Sequence, residues 1–195
     1  APQYALLFGD TSYLMDKAVA AEWPNQSYIP SMMLYTLSFG MTSSDNYFVA
    51  FDENDPLPDM FIGRLPVNTT EHAQQTVDKL IEYDSQSEFG EWMRNSTIAA
   101  GTGDFFANTS QHLVDTVFPK SYVTHRISTQ LGLPYFGSTE EFIELINGGQ
   151  AMIDFLVHGS SEQIADARLL AKDDIIRLQN KGRYPFAVTM SCYIG

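Results

Sequence analysis

A single cysteine, Cys192, rules out any disulfide within the chain and leaves one thiol to account for. Cations are scarce: 11 Lys and Arg stand against 24 Asp and Glu, a formal net charge of −13. Phosphate binding needs clustered Lys and Arg, so nucleic acid is excluded as a partner. No uninterrupted apolar run reaches the roughly 18 residues that a bilayer-crossing helix needs. A membrane span is therefore not expected. The chain has no zinc-type spacing of His and Cys, no internal repeat and no low-complexity tract. Gly101-Thr102-Gly103-Asp104 is its nearest approach to a phosphate cradle, and it lacks both the G-x-G-x-x-G and the P-loop pattern. Ala1 opens almost directly into a strand, without a basic n-region or apolar h-region. The expectation is a chain whose leader has been removed, or a fragment. Acidity of this degree fits a secreted, cell-surface or periplasmic location.

What is present is a foldable chain. Hydrophobic residues make up 44 % and aromatics 13 % of 195 positions, enough for one domain with a sizeable core. Tyr4 to Phe8 reads as a short strand. Trp23 to Ser44 reads as irregular with short strands, after a weak helix over Ser12 to Ala21. Asp45 to Asp59 holds five carboxylates and is broken by Pro56 and Pro58, so it reads as a loop or hairpin. Calcium takes several oxygen ligands from such loops, with Asp52 and Asp55 as candidates, although the spacing departs from the EF-hand. Strands are expected at Met60–Val67, Ser96–Gly101 and Tyr122–Ile127. Helices are expected from Asn68 or Thr69 to about Tyr83, over Asn108–Phe118, and from a Thr139 cap to Gly148. This alternation predicts a three-layer α/β/α sandwich with a mainly parallel sheet.

Two apolar runs near the end of the chain carry the chemistry. Ala151 to Val157 leads into His158-Gly159-Ser160-Ser161. Pro185 to Ser191 leads into Cys192. Each has the composition of a buried strand, and a helical segment from Lys172 to Gly182 is expected between them. Such a crossover is right-handed and makes the two strands parallel, with their C-terminal ends on one edge. Ligands of open α/β sheets bind at that edge. His158 and Cys192 are then expected to meet there. A thiol needs a neighbouring base or a lowered pKa to act as a nucleophile, and an imidazole supplies the base. Backbone N–H groups of Gly159 and Cys192 are candidates to receive an oxyanion. The plainer reading of the same residues is a small buried thiol and a loop histidine.

A hydrophobic block ending in His-Gly, followed by a second block ending in Cys, resembles the caspase-like cysteine peptidases. The chain is similar in particular to the gingipain-type family C25. The resemblance runs through Tyr4 to Asp10, Ser44 to Tyr47, Phe61 to Pro66, Asn147 to Gly149, His158 to Ser160, and Pro185 up to Cys192. It implies a caspase-like fold and endopeptidase activity on protein or peptide substrates. His158 and Cys192 would be the dyad, and Gly159 would contribute to the oxyanion site. It gives Asp45 to Tyr47 and Gly63-Arg64 a structural role, with Arg64 pairing an acidic side chain near a strand end.

Two departures from the family follow. Arginine-specific members carry an acidic S1 residue at the start of the helix after the middle strand. That helix is expected here to open Asn108-Thr109-Ser110-Gln111-His112, without a carboxylate, so cleavage after arginine is not carried over. The position matching the family's histidine-orienting carboxylate is Thr102, with Asp104 two residues on. Ser160, Glu162 and Asp166 follow the histidine as candidate pocket residues, and a solvated loop is the alternative account. His72 and His112 are expected on helix surfaces. The resemblance also implies that part of the S1 wall and a further strand come from later sequence, so residues 1–195 are expected to lack flanking segments of their own precursor. Rival functions are a sortase-like transpeptidase, an inactive caspase-like binding or scaffold module, and a flavodoxin-like protein, the last opposed by the charge and the missing phosphate loop.

Overall fold

A computed structural model of the protein describes residues 2–11, 28–37, 40–52, 55, 57–86, 89–165 and 167–192. The weak helix expected over Ser12 to Ala21 lies outside them, as do Trp23, Glu53, Pro56 and Asp166. The chain gathers into two compact units, Ala1–Leu80 and Ile81–Gly195.

In the first unit, β1 (Tyr4–Phe8) pairs in parallel with β4 (Phe61–Leu65), in register from Tyr4 opposite Phe61 to Phe8 opposite Leu65. The Met-rich stretch is more regular than expected. β2 (Met32–Thr36) and β3 (Gly40–Ser44) form an antiparallel hairpin, with Gly40 at φ +69° taking the turn-side conformation that other residues avoid. Arg64 ties this unit together. Its Nε and Nη2 donate to the two Asp45 oxygens at 2.8 and 2.7 Å, and its Nη1 donates to the Gly9 and Ile29 carbonyls, each at 2.7 Å. Ser31 Oγ adds a donor to Asp45 at 3.0 Å. The Arg64 bonds hold the Asp45 carboxyl below its ordinary pKa against the opposing effect of burial. α1 (Thr70–Gln86) follows, and Thr69 Oγ1 accepts from His72 N at 3.0 Å as its cap.

The second unit is built on a four-stranded parallel sheet in the order β10-β7-β5-β6. Its strands are β5 (Asn95–Ala100), β6 (Val123–Ser128), β7 (Met152–Leu156) and β10 (Phe186–Thr189). α2 (Asp104–Thr116) crosses from β5 to β6, and α3 (Thr139–Gly148) returns from β6 to β7. Right-handed crossovers in opposite directions place the two helices on opposite faces, which makes three layers. Side-chain alternation agrees. Ile153 and Phe155 of β7 join Ala99 and Ile127 in a buried cluster with Phe142, Ile143 and Ile146 of α3. Leu156 joins Ala100 and Phe106 on the α2 side.

Several boundaries differ from the sequence expectation. α2 begins at Asp104 rather than Asn108, because Gly103 (φ +118°) turns the chain immediately after the strand and Phe106 is drawn into the core. The cap of α3 is Ser138, not Thr139: Ser138 Oγ accepts from Glu141 N at 3.3 Å, and Glu141 Oε2 accepts from Ser138 N at 2.7 Å. Gly149 at φ +89° follows α3, and a Cβ there would stand 2.7 Å from Trp92 Cβ. The helix expected from Lys172 to Gly182 is only a 3₁₀ segment, Lys172–Arg177. It closes on buried Asp174, which accepts from Ala171 N at 3.0 Å and from Arg177 at 3.0 Å, while Arg183 N to Asn180 O starts a separate turn.

Asp154 sits in the middle of β7 at 6 % exposure, and among the described residues its Oδ1 has no hydrogen-bond partner. Burial pushes its carboxyl above the ordinary range. The ionised form is therefore disfavoured in the fold. Below the unfolded-state pKa both states are protonated and the penalty vanishes; it grows as pH rises through the window up to the raised pKa. Asp154→Asn is expected to raise stability at pH 7 by on the order of 1 kcal/mol in denaturant melts, with the gain disappearing in strong acid. The Arg64 fork predicts the opposite slope. Arg64→Lys cannot reproduce four directed bonds and should lose about 2 kcal/mol at pH 7. Asp45 has a depressed pKa, so its contribution is complete above the ordinary carboxylate range and is lost as pH falls through the folded value; the gap between wild type and Arg64→Lys should narrow in acid.

Candidate active site

β7 and β10 are adjacent and parallel, as expected, with Phe186 opposite Met152 and Thr189 opposite Phe155. Met190 N donates to Phe155 O at 2.9 Å, which extends the ladder past the last paired residue. β7 ends at Leu156 and β10 at Thr189, so His158 and Cys192 follow the C-terminal ends of adjacent parallel strands, two and three residues past them. Cys192 is exposed, and so is His158.

The His158 ring leans on α2. Phe106 meets it edge to face, with centroids 5.0 Å apart and planes at 87°. Phe106 is itself only 8 % exposed and packs beneath Gly101, where a Cβ would come within 3.0 Å of its ring. The close strand-to-helix turn, the buried phenyl and the imidazole thus form one stack. Sequence reasoning misses Phe106, because a helix start at Asn108 leaves it outside the helix. The Phe105-Phe106 pair, one residue past Gly101-Thr102-Gly103, is the signal that could find it.

After the histidine the chain folds back on itself. β8 (Gln163–Ile164) pairs antiparallel with β9 (Leu170–Ala171), and Gly159 bridges Ile164. The bridging bonds are Ala165 N to His158 O at 2.8 Å and Ser160 N to Gln163 O at 3.0 Å. These belong to the residues either side of Gly159. The pair is therefore the non-bonded type, in which the glycine's own N–H points away from Ile164. The bridge therefore does not use the Gly159 N–H. Ala165 (φ +66°) and Arg168 (φ +52°) hold left-handed conformations that cost non-glycine residues about 1 kcal/mol or more. A small cavity of about 80 Å³ is lined by His158, Gly159, Ser160, Gln163 and Ala165.

The remaining candidates are placed as follows. Ser160 Oγ accepts from Glu162 N and Gln163 N at 3.3 and 3.2 Å, so it shapes the turn. Glu162 pairs with Lys172 at 2.9 Å on the surface. Thr102 and Asp104 are exposed at the opening of α2, and among the described residues neither is bonded to His158. The first turn of α2 therefore does hold a carboxylate, Asp104, which corrects the expected opening at Asn108. In the acidic loop, Asp55 Oδ1 accepts from Leu57 N and Asp59 Oδ2 from Phe51 N. Among the described residues no three His, Cys, Asp or Glu side chains are grouped to hold a metal ion; Glu53 of the same loop lies outside them. His72 and His112 are exposed on their helices, as expected.

A three-layer sheet with a histidine and a cysteine following adjacent strands defines a caspase-like fold. The model of peptidase family C25 matches residues 1–195, and the chain belongs to that family. Gingipain R, described as an Arg-specific cysteine proteinase, superposes with a TM-score of 0.70 at 18 % identity, covering 99 % of this chain and 41 % of that one. A complex of Porphyromonas gingivalis RgpB pro- and mature domains gives 0.63 at 19 % identity, covering 97 % and 41 %. A structure described only as a protease gives 0.70 at 20 % identity, covering 98 % and 38 %. The chain thus spans about two fifths of the solved structures it resembles. No curated protein matches it by sequence.

The ring stack generates a test. Phe106→Leu keeps most of the buried volume but removes the aromatic edge contact. It should lower stability by about 1 kcal/mol. In NMR spectra the His158 ring resonances should shift and broaden, while those of His72 and His112 stay in place.

Proposed function

We propose that the chain is part of a cysteine endopeptidase in which His158 and Cys192 act as the dyad. The observation that supports this most directly is the parallel pairing of β7 with β10, whose C-terminal ends lead into His158 and Cys192. In the proposed reaction the Cys192 S–H proton passes to the His158 ring. The thiolate attacks a peptide carbonyl, and the oxyanion that forms is received by the backbone N–H groups of Gly159 and Cys192. The C–N bond then breaks as the imidazolium returns its proton to the leaving amine. This leaves a thioester on Cys192. Water, deprotonated by His158, attacks the thioester, the C–S bond breaks, and acid product and free thiol are regenerated.

The family and the solved relatives carry peptidase descriptions, which favours hydrolysis over an inactive scaffold. The pro- and mature-domain complex of RgpB supports, for this chain too, a partner segment from its own precursor. A secreted or cell-surface location belongs to the same proposal and rests on the acidic composition. The reaction as written draws on no metal.

Digestion of a peptide library, with cleavage sites read by mass spectrometry, tests the reading and defines specificity. Cys192→Ala should abolish cleavage and labelling by a peptidyl electrophile without unfolding the protein. His158→Ala should slow cleavage by at least ~10²-fold. Full activity in either variant rejects the dyad. Transfer of the acyl group to an added amine, in place of water, would convert the proposal to transpeptidation.

A further inference from the structure

β6 is an edge strand. In the order β10-β7-β5-β6 it has β5 on one side, and among the described residues no named strand lies on the other. Among the described residues its outer edge is used at the end: Ser128 N donates to Tyr135 O at 3.0 Å, and Gly137 N donates to Ser128 O at 2.8 Å. In a strand, alternate residues turn their N–H and C=O to the same side. If Ser128 faces outward, Thr124 and Arg126 do so as well. The segment Tyr135–Gly137 thus shows how a strand sits on this edge, and upstream of it the edge is open.

A cleft of about 440 Å³ lies beside that open edge, on the α3 face. Its lining includes His125, Ile127, Phe136, Leu145, Glu141 and Glu144, together with Arg126 and Tyr135. The Arg126 Nη2 is already committed: it donates to Ala107 O at 3.0 Å, Ser110 Oγ at 2.6 Å and the Tyr135 hydroxyl at 2.5 Å, and the guanidinium lies 3.7 Å over the Tyr135 ring. The lining thus sets two carboxylates, an imidazole and an aromatic surface against one cation whose bonds are already made. A side chain with an apolar stem and a positive head fits that lining.

We propose that the outer edge of β6 is a peptide-docking site. It takes an extended segment as an added strand, with a Lys or Arg side chain laid in the cleft toward Glu141 and Glu144. The Thr124 and Arg126 N–H and C=O groups supply the pairing, and the cleft supplies the preference for a basic residue. This site is on the side of the sheet, away from the C-terminal rim, and does not depend on the chemistry proposed for Cys192.

The test is fluorescence anisotropy on the Cys192→Ala protein, so that the probe is not cleaved. The probe is a fluorescein-labelled peptide of alternating Val and Thr with one central Arg. It should bind about tenfold more tightly than its central-Glu counterpart. N-methylation at alternate amides should abolish binding. Glu144→Lys should weaken it about tenfold, and Asp115→Lys, the same charge change on the exposed face of α2, should leave it unchanged. Equal binding of the Glu peptide, survival of binding after N-methylation, or equal losses in the Glu144→Lys and Asp115→Lys proteins would each overturn the proposal.

Discussion

The pairing of β7 with β10 is the constraint on which the site depends. Side chains alternate along a strand, so a slip of one residue would exchange the faces of the β10 side chains while those of β7 stayed in place. Register is enforced by what the strands bury. Ile153 and Phe155 must enter the α3 cluster, and Leu156 must face Phe106, because apolar area removed from water stabilises at roughly 25 cal/mol per Å². The placement of two polar residues past the strand ends is thus a consequence of apolar packing several residues upstream.

Among the described residues the His158 ring is held by packing and backbone bonds, with no carboxylate bonded to it. One side is supported by the Phe106 edge. On the other, the Gly159–Ile164 bridge fixes the chain leaving the histidine and turns the Gly159 N–H outward. The left-handed residues Ala165 and Arg168 allow the tight return that makes this bridge. Such strain persists only where neighbouring bonds over-determine the backbone, and here the β8–β9 pair does so. Asp154 is the counterexample within the same strand, a buried carboxyl with one oxygen unanswered among the described residues.

Much of this was legible in the sequence, and the reasons differ by element. The parallel strands ending before His158 and Cys192 were legible because apolar runs of that length bounded by Gly, Ser and Pro have few other readings. The family resemblance implied an acidic partner for Arg64 near a strand end; that the partner is Asp45, 19 positions away, is visible only in the structure. The β2–β3 hairpin was not legible, since the Met-rich run shows no clean alternation and its turn lacks a strong two-residue signal. The start of α2 was placed four residues late, at Asn108 instead of Asp104, because two phenylalanines after glycines look like a loop until the core that receives Phe106 is known. Lys172 to Gly182 had helical composition, but the demand of Asp174 for local donors shortened it to a 3₁₀ segment. Phe106, the neighbour of the histidine, carries no polar signature that sequence inspection could register.

Membership of family C25 covers the whole chain, whereas the solved relatives extend well beyond it. What this chain contributes by itself is the sheet edge and the two residues at it. The most direct test is the rate of Cys192 alkylation by iodoacetamide at pH 7, in the wild type and in His158→Ala. An imidazole beside the thiol predicts alkylation about tenfold faster in the wild type than in the variant. Equal rates in the two proteins would contradict the account.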